Sequence, residues 1–279
     1  MENQLQKVNI LGFGIMGRQI AALLVFAGYD VNIWSRNIDE NNKALYHREI
    51  KKIEKFLIQD PQENGTITYT SNIKALLPAL TFEVLCEDVE VKKKVICLLD
   101  YDLQNHGILT NTSSYAPEEI HPSAVGIHFF NPIYLLKFAE LSCASIDLPL
   151  GVKFLIDFLR ERLNFEIITV NGNRGYIGNY LLFQEIANAL KLVDRYGYDT
   201  RRIDQVLSHM GRSVSIFDII DLVGVDVTRR IILNLKENDS AIFYSPIFDK
   251  ALSDNVLGKK NKTSIRSVVD DVRWGKGGV

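Results

Sequence analysis

The sequence predicts an α/β protein, a doubly wound sheet domain followed by an all-helical domain. Three observations lead there. Short apolar runs alternate with helical stretches as far as Val170, a glycine turn joins the first run to the first helix, and from Asn179 onward the pattern is almost wholly helical. Val8, Ile10 and Leu11 form the first strand, Gly12 to Gly17 the turn, and Ile20 to Ala27 an apolar helix that Gly28 stops. Val31-Asn-Ile-Trp34 alternates as a second strand, and Tyr46, Ile50, Ile53 and Leu57 recur at helical spacing. Parallel strands joined by helices indicate the doubly wound arrangement. Further strands are expected at Val84–Cys86, Ile108–Thr110, Val125–Phe129 and Glu166–Val170, and helices at Val91–Leu103 and Leu150–Leu163. Asn171-Gly-Asn-Arg-Gly175 reads as a linker, which places the boundary near residue 172 and separates residues 1–172 from residues 173–279. In the second part Leu182, Ile186, Ala189, Leu190 and Val193 form one stripe, and Gly197 is placed to cap that helix. Ser245-Pro246 reads as an N-cap followed by proline at the first helical position.

The 279 residues are 47% hydrophobic and 24% charged, a globular composition that excludes a disordered chain. A formal net charge of −2 leaves no global basic field for nucleic acid. Cys86, Cys97 and Cys143 lie far apart, without metal-ligand or CxxC spacing, so no metal site is expected; they read as buried apolar fillers in a reducing compartment. No apolar run approaches the length of about 18 residues that a membrane span needs. Met1 to Lys7 is polar and leads directly into a strand, so a cytoplasmic protein without a targeting segment is expected.

Gly12-Phe-Gly14-Ile-Met-Gly17 fits G-x-G-x-x-G between strand and helix, with Ile15 and Met16 opening the helix. The first glycine allows the tight turn, the second lets a pyrophosphate approach the backbone, and the third lets the helix pack on the sheet. This predicts a bound dinucleotide. At the end of the second strand, where an acidic residue normally takes the ribose 2′-hydroxyl, stand Ser35 and Arg36. Serine does not repel a 2′-phosphate and arginine can pair with one, so either NAD or NADP is permitted. Arg36 as a solvated loop charge is the plain alternative.

Thr110-Asn-Thr-Ser-Ser-Tyr115 and Gly126-Ile-His-Phe-Phe-Asn-Pro132 each accompany a candidate strand. Residues beyond the carboxyl ends of parallel strands face the ligand crevice. Hydride transfer at an alcohol carbon also needs a group that takes the hydroxyl proton, which suits histidine. His128 is placed there, and Glu140 follows closely enough to hold its imidazole. From the residues alone, a structural histidine at a strand end stands beside this reading.

GFGIMG, NTSS, GIHFFNP and the downstream Glu140 resemble the 3-hydroxyacyl-CoA dehydrogenase family in order and spacing. The likeness extends through Cys86-Glu-Asp-Val-Glu-Val-Lys92, Asp221-Leu-Val-Gly-Val-Asp226, Ser245-Pro246 and Leu257-Gly-Lys-Lys260, covering nearly the whole chain. The resemblance implies a Rossmann-like N-terminal domain and a helical C-terminal domain that dimerises. It implies His128 as general acid/base, Glu140 as its partner, Ser113 at the substrate and nicotinamide, and Asn179 on the substrate carbonyl. Glu87, Lys92 and Asn131 match cofactor-contacting positions. A basic stripe of Arg48, Lys51, Lys52 and Lys55 occurs where the family grips coenzyme A, and serves as well for the acidic surface of an acyl carrier protein or as a solvated helix face.

Departures from the family pattern bear on substrate and cofactor. Arg174-Gly-Tyr176 replaces the usual Pro-Gly-Phe, Ser215-Ile-Phe217 replaces Gly-Pro-Phe, Lys262-Thr-Ser-Ile-Arg266 stands near the usual Gly-Phe-Tyr, and Ser35 replaces the acid. The resulting expectation is an oxidoreductase that moves a hydride between NAD(P) and a short 3-hydroxy- or 3-oxoacyl thioester. Its alternatives are a biosynthetic dehydrogenase of a carrier-protein-bound unit, a hydroxy-acid or sugar-acid dehydrogenase, and a non-catalytic relative that keeps the fold. The crowding of Ile216, Phe217, Ile219, Ile220, Leu222 and Val223, followed by Ile231, Ile232, Leu233 and Leu235, predicts a homodimer, because such helices need cover on more than one side.

Overall fold

The computed structural model of the protein describes residues 6–57, 65–143, 148–170 and 176–274. They fall into two compact units, Met1–Tyr176 and Ile177–Val279. The boundary expected near residue 172 lies outside the described residues; the division falls between Tyr176 and Ile177.

In the first unit the elements run β1 (Lys7–Leu11), α1 (Ile15–Phe26), β2 (Asp30–Trp34), α2 (Glu40–Phe56), β3 (Ile67–Thr70), β4 (Leu80–Glu83), α3 (Val89–Ile96), α4 (Leu103–His106), β5 (Ile108–Thr110), α5 (Pro117–Ile120), β6 (Ala124–Phe129), β7 (Phe138–Ser142), α6 (Leu150–Glu161) and β8 (Glu166–Val170). The sheet order is β3-β2-β1-β4-β5-β6-β7-β8. Pairing is parallel from β3 to β6, antiparallel between β6 and β7, and parallel again from β7 to β8. Connections lead one way from β1 and the other way from β4, so the glycine turn after β1 opens at the topological switch point where such sheets bind ligands. The core is built from Val8, Ile10, Ile33, Phe82 and Ile127 of the sheet with Ile20, Leu23 and Leu24 of α1 on it.

Several elements depart from expectation. The fourth strand is Leu80–Glu83 rather than Val84–Cys86, because Thr81 and Glu83 are buried with partners and break the apolar pattern that marks a strand. β3 and β7 were not expected: β3 carries alternating threonines, and β7 (Phe-Ala-Glu-Leu-Ser) buries a carboxylate. The helix expected over Val91–Leu103 is two, since the Asp102 carboxylate accepts the Gln104 and Asn105 N–H groups and starts a new helix. Cys86 and Cys97 are exposed and are not core fillers, Cys86 lying in the loop beyond β4 and Cys97 at the end of α3, whereas half-buried Cys143 packs against the core.

The second unit is helical: α7 (Ile177–Tyr196), α8 (Thr200–His209), α9 (Ile216–Val223), α10 (Val225–Asn238), α11 (Ile247–Ser253) and α12 (Ile265–Trp274). Gly197 ends α7 at φ 68°, its N–H returning to the Val193 carbonyl. Ser245 caps α11 through Oγ, one residue farther from the helix than expected, with Pro246 at the cap position. Ile216, Phe217, Ile220, Ile232 and Phe248 pack into its core, so α9 and α10 are largely covered within their own unit. No helix among the described residues is long and apolar enough to cross a membrane.

Candidate active site

The glycine turn has the geometry of a phosphate cradle. Gly12 sits at φ 115°, and a Cβ on it would stand 2.5 Å from the Val84 carbonyl oxygen. A Cβ on Gly17 would stand 2.3 Å from the Gly12 oxygen, so that glycine lets α1 approach the turn. Around Gly14 a Cβ meets nothing within 4 Å. The backbone there faces open space, and α1 starts without a side-chain cap or an acidic residue in its first turn. A helix N-terminus left this way favours an anion, which fits a dinucleotide pyrophosphate.

His128 and Glu140 are directly opposite in the antiparallel register of β6 and β7. Cross-strand partners on one face meet side chain to side chain, and Glu140 Oε2 lies 3.3 Å from His128 Nδ1. Both residues are buried. The reversal of β7 is what brings the carboxylate to the imidazole, so the unexpected strand builds the expected pair.

Glu87 organises the loop beyond β5. Its Oε1 accepts the Thr112 hydroxyl at 2.6 Å and the N–H groups of Ser113 and Ser114 at 3.0 and 2.9 Å. Burial pushes the Glu87 carboxyl up, but the Lys92 ammonium and these hydrogen bonds outweigh it and hold the group below the usual glutamate range. Lys92 lies underneath, 1% exposed, 2.7 Å from Glu83 and 3.3 Å from Glu87. Glu83 in turn accepts the Leu85 N–H and the Thr110 hydroxyl. Lys92, expected at the cofactor, is committed to the carboxylates of Glu83 and Glu87.

Gln19 was not anticipated. From α1 it donates to Asn131 Oδ1 at 2.9 Å and accepts the Ile133 N–H at 3.1 Å, tying the glycine-turn helix to the segment after His128. Asn111 Oδ1 likewise accepts the Phe129 N–H. A polar residue inside the apolar stretch of α1 was the available signal for Gln19. The first unit thus gathers Gly12, Gly14, Gly17, Glu87, Ser113, His128, Asn131 and Glu140 along the ligand edge of one sheet.

Comparison with known proteins shows the family. Residues 7–161 match the model of the 3-hydroxyacyl-CoA dehydrogenase NAD-binding domain, and residues 175–267 match that of the 3-hydroxyacyl-CoA dehydrogenase C-terminal domain. The chain belongs to the 3-hydroxyacyl-CoA dehydrogenase family. The mitochondrial hydroxyacyl-coenzyme A dehydrogenase of Sus scrofa is 26% identical over 91% of this chain and 88% of its own length. The 3-hydroxybutyryl-CoA dehydrogenase of Clostridioides difficile is 26% identical over 92% of this chain and 97% of its own. The crystal structure of M. tuberculosis FadB2 superposes with a TM-score of 0.80 at 22% identity, covering 93% of this chain and 98% of that one, and shares its fold.

The remaining expected residues stand on other elements. Ser35 turns the end of β2 by donating to the Asn37 carbonyl. Arg36, Asp39, Lys43, Tyr69 and Ser71 border a cavity of about 600 Å³. On α2, Arg48, Lys51, Lys52 and Lys55 are exposed. Lys52 pairs with Glu49 at 3.0 Å and Lys55 lies over the Phe56 ring, while Arg48 and Lys51 form no ion pair among the described residues. Asn179 is half-buried in the first turn of α7, in the second unit. Arg174 lies outside the described residues.

Two departures from the family pattern meet in the second unit. Arg266 donates to Asp204, Asp218 and Ser215 Oγ, and Ser215 caps α9. The family-like motifs there are structural: Asp221 accepts the Ile265 N–H and the Ser264 hydroxyl, and Lys260 pairs with Asp226 at 2.7 Å.

Proposed function

We propose that the protein moves a hydride between a nicotinamide dinucleotide and the 3-hydroxy or 3-oxo group of a short acyl thioester. The observation that carries this reading is the register that sets His128 against Glu140 beside the Glu87-held Ser113 loop. His128 takes the hydroxyl proton as the carbinol carbon is oxidised and returns it in the reverse direction. Glu140, at Nδ1, fixes which ring nitrogen works on the substrate and stabilises the imidazolium that forms. The dinucleotide, when bound, supplies the hydride acceptor in oxidation and the donor in reduction. Ser113 meets the substrate beside the nicotinamide, and Asn179 takes the thioester carbonyl.

The cavity beside Arg36 and Lys43 favours a second reading of the cofactor, in which a ribose 2′-phosphate is accepted there and NADP is used. Asp39 on the same rim opposes a phosphate, though its carboxylate is engaged by the Asn42 N–H as the cap of α2. The exposed Arg48 and Lys51 suit either the phosphates of coenzyme A or an acidic carrier protein. Exposed free thiols at Cys86 and Cys97 suit a reducing cytoplasm, and the exposed apolar residues of α7 and α8 suit a homodimer.

The test is cofactor absorbance against matched panels of coenzyme A and carrier-protein 3-hydroxyacyl and 3-oxoacyl thioesters. Turnover with one panel and its loss in His128→Gln supports the reading. Absence of turnover on every thioester with either dinucleotide overturns it in favour of a non-catalytic relative.

A further inference from the structure

Tyr176 lies flat on the His128 imidazole, with ring centroids 4.5 Å apart and planes 16° from parallel. Phe130 meets the same imidazole edge to face at 4.6 Å and is braced in turn by Phe138. Space for the tyrosine comes from Gly126, where a Cβ would stand 2.3 Å from the phenol oxygen. Gly126 and His128, two residues apart, share one face of β6. Tyr176 therefore runs along that face, its ring over His128 and its hydroxyl over Gly126.

Among the described residues the hydroxyl has no hydrogen-bond partner, and Ser142 Oγ, opposite Gly126 on β7, has none either. Burial, reinforced by the carboxylates of Glu140, Glu87 and Glu118, pushes the phenol pKa up, so the group stays neutral. A buried hydroxyl without a partner costs stability, so the benefit of this residue lies in its ring.

We propose that Tyr176 is a positioning residue for the catalytic histidine, its ring setting the plane of the His128 imidazole. Glu140 holds the Nδ1 edge of the ring, and χ2 of a histidine is by itself a broad torsion. A flat aromatic ring over one face, with Phe130 at the edge, removes that freedom. Proton transfer demands hydrogen-bond reach of about 2.6–3.2 Å, so a ring that turns loses turnover rather than binding.

The inference rests on His128 being the general acid/base, and His128→Gln is measured alongside to keep the two apart. Tyr176→Leu is expected to lower kcat by about 10- to 100-fold, the scale of a misplaced reacting group, with KM and dinucleotide Kd little changed. Tyr176→Phe, which keeps the ring and removes the unpartnered hydroxyl, restores most of kcat without lowering Tm. By proton NMR, the His128 signal, identified by its absence in His128→Gln, is shifted upfield by the phenol ring current. It moves downfield in Tyr176→Leu and holds in Tyr176→Phe; Tyr176→Met replaces the leucine variant if that one does not fold. Wild-type kcat in the leucine variant, with His128→Gln inactive, overturns the inference alone. A phenylalanine variant as poor as leucine also overturns it, by giving the role to the hydroxyl. Full activity in His128→Gln removes the functional reading beneath it.

Discussion

The Glu87 carboxylate accepts the Ser113 N–H at 3.0 Å, through the same oxygen that takes the Ser114 N–H and the Thr112 hydroxyl. One charged atom therefore shapes the loop that carries Ser113, and its ionisation is linked to the stability of that loop. The Glu87 carboxyl is depressed in the folded protein, so its contribution is fully present above the ordinary glutamate pKa of about 4.3 and is lost as pH falls through the folded value below it. Glu87→Gln is expected to lower Tm at neutral pH and to narrow its difference from wild type as pH drops below about 4. Thermal melts across that window check it; a difference independent of pH removes Glu87 from the acid response.

His128→Gln should lower kcat by about 10²–10⁴-fold, the usual contribution of a general acid/base, and leave dinucleotide affinity nearly unchanged. The reason is spatial: the phosphate cradle lies at the end of β1, three strands away from β6 in the sheet. Glu140→Gln should follow in the same direction, since a neutral amide does not stabilise an imidazolium. Steady-state kinetics beside fluorescence titration of the dinucleotide separates the two effects, and full turnover in His128→Gln ends the assignment.

The glycines of the turn should divide into two classes. Gly12→Ala places a Cβ 2.5 Å from the Val84 carbonyl at a φ of 115°, so it should lower Tm and reduce soluble yield. Gly14→Ala puts a methyl group into open space, so Tm should hold while dinucleotide affinity falls. Equal losses of stability in both variants contradict a ligand-facing Gly14.

What was legible in the sequence follows from how local each constraint is. The glycine turn shows itself because Gly12 sits at φ 115°, a demand that the turn makes by itself, whatever packs against it. His128 stands at a strand end that apolar patterning marks. The strand that carries Glu140 did not show, because β7 hides a carboxylate in its middle and its reversal depends on pairing with β6. Lys92 illustrates the limit best. A lysine among carboxylates on a helix looks like solvated charge, and only the folded sheet, by placing Glu83 beneath it, makes it a buried cation. Gln19 is a single amide in an apolar helix, with both its partners more than a hundred residues away. The cysteines misled because residue type gives average burial, while Cys86 and Cys97 occupy a loop and a helix end.

Cofactor choice should be decided at Arg36. If its guanidinium pairs with a 2′-phosphate in the cavity shared with Lys43, Arg36→Ala weakens NADP binding by about 10- to 100-fold, the scale of hydrogen bonds to a charged group, and leaves NAD affinity in place. Titration of both dinucleotides into wild type and variant reads this directly. Equal affinities for the two dinucleotides, unchanged by the substitution, make Arg36 a surface charge.

The protein should be a homodimer built through its helical unit, although the surface responsible differs from the one the sequence pointed to. Ile216, Phe217 and Ile220 are covered by neighbours of their own chain, and on α9 only Leu222 remains an exposed large hydrophobic residue. Exposed apolar surface lies instead on α7, α8 and the turn that follows: Leu181, Tyr196, Val206 and Val214 are more than half exposed, and Met210 is 76% exposed. Exposed side chains of this size suit a surface that a second copy covers, and a two-fold mate is the commonest such cover. Sedimentation at micromolar concentration should give twice 31.7 kDa, and a mass near 31.7 kDa contradicts the dimer. Val206→Lys combined with Met210→Glu should shift the mass toward the monomer while sparing the dinucleotide site of the first unit. A double variant that stays dimeric moves the interface away from α8.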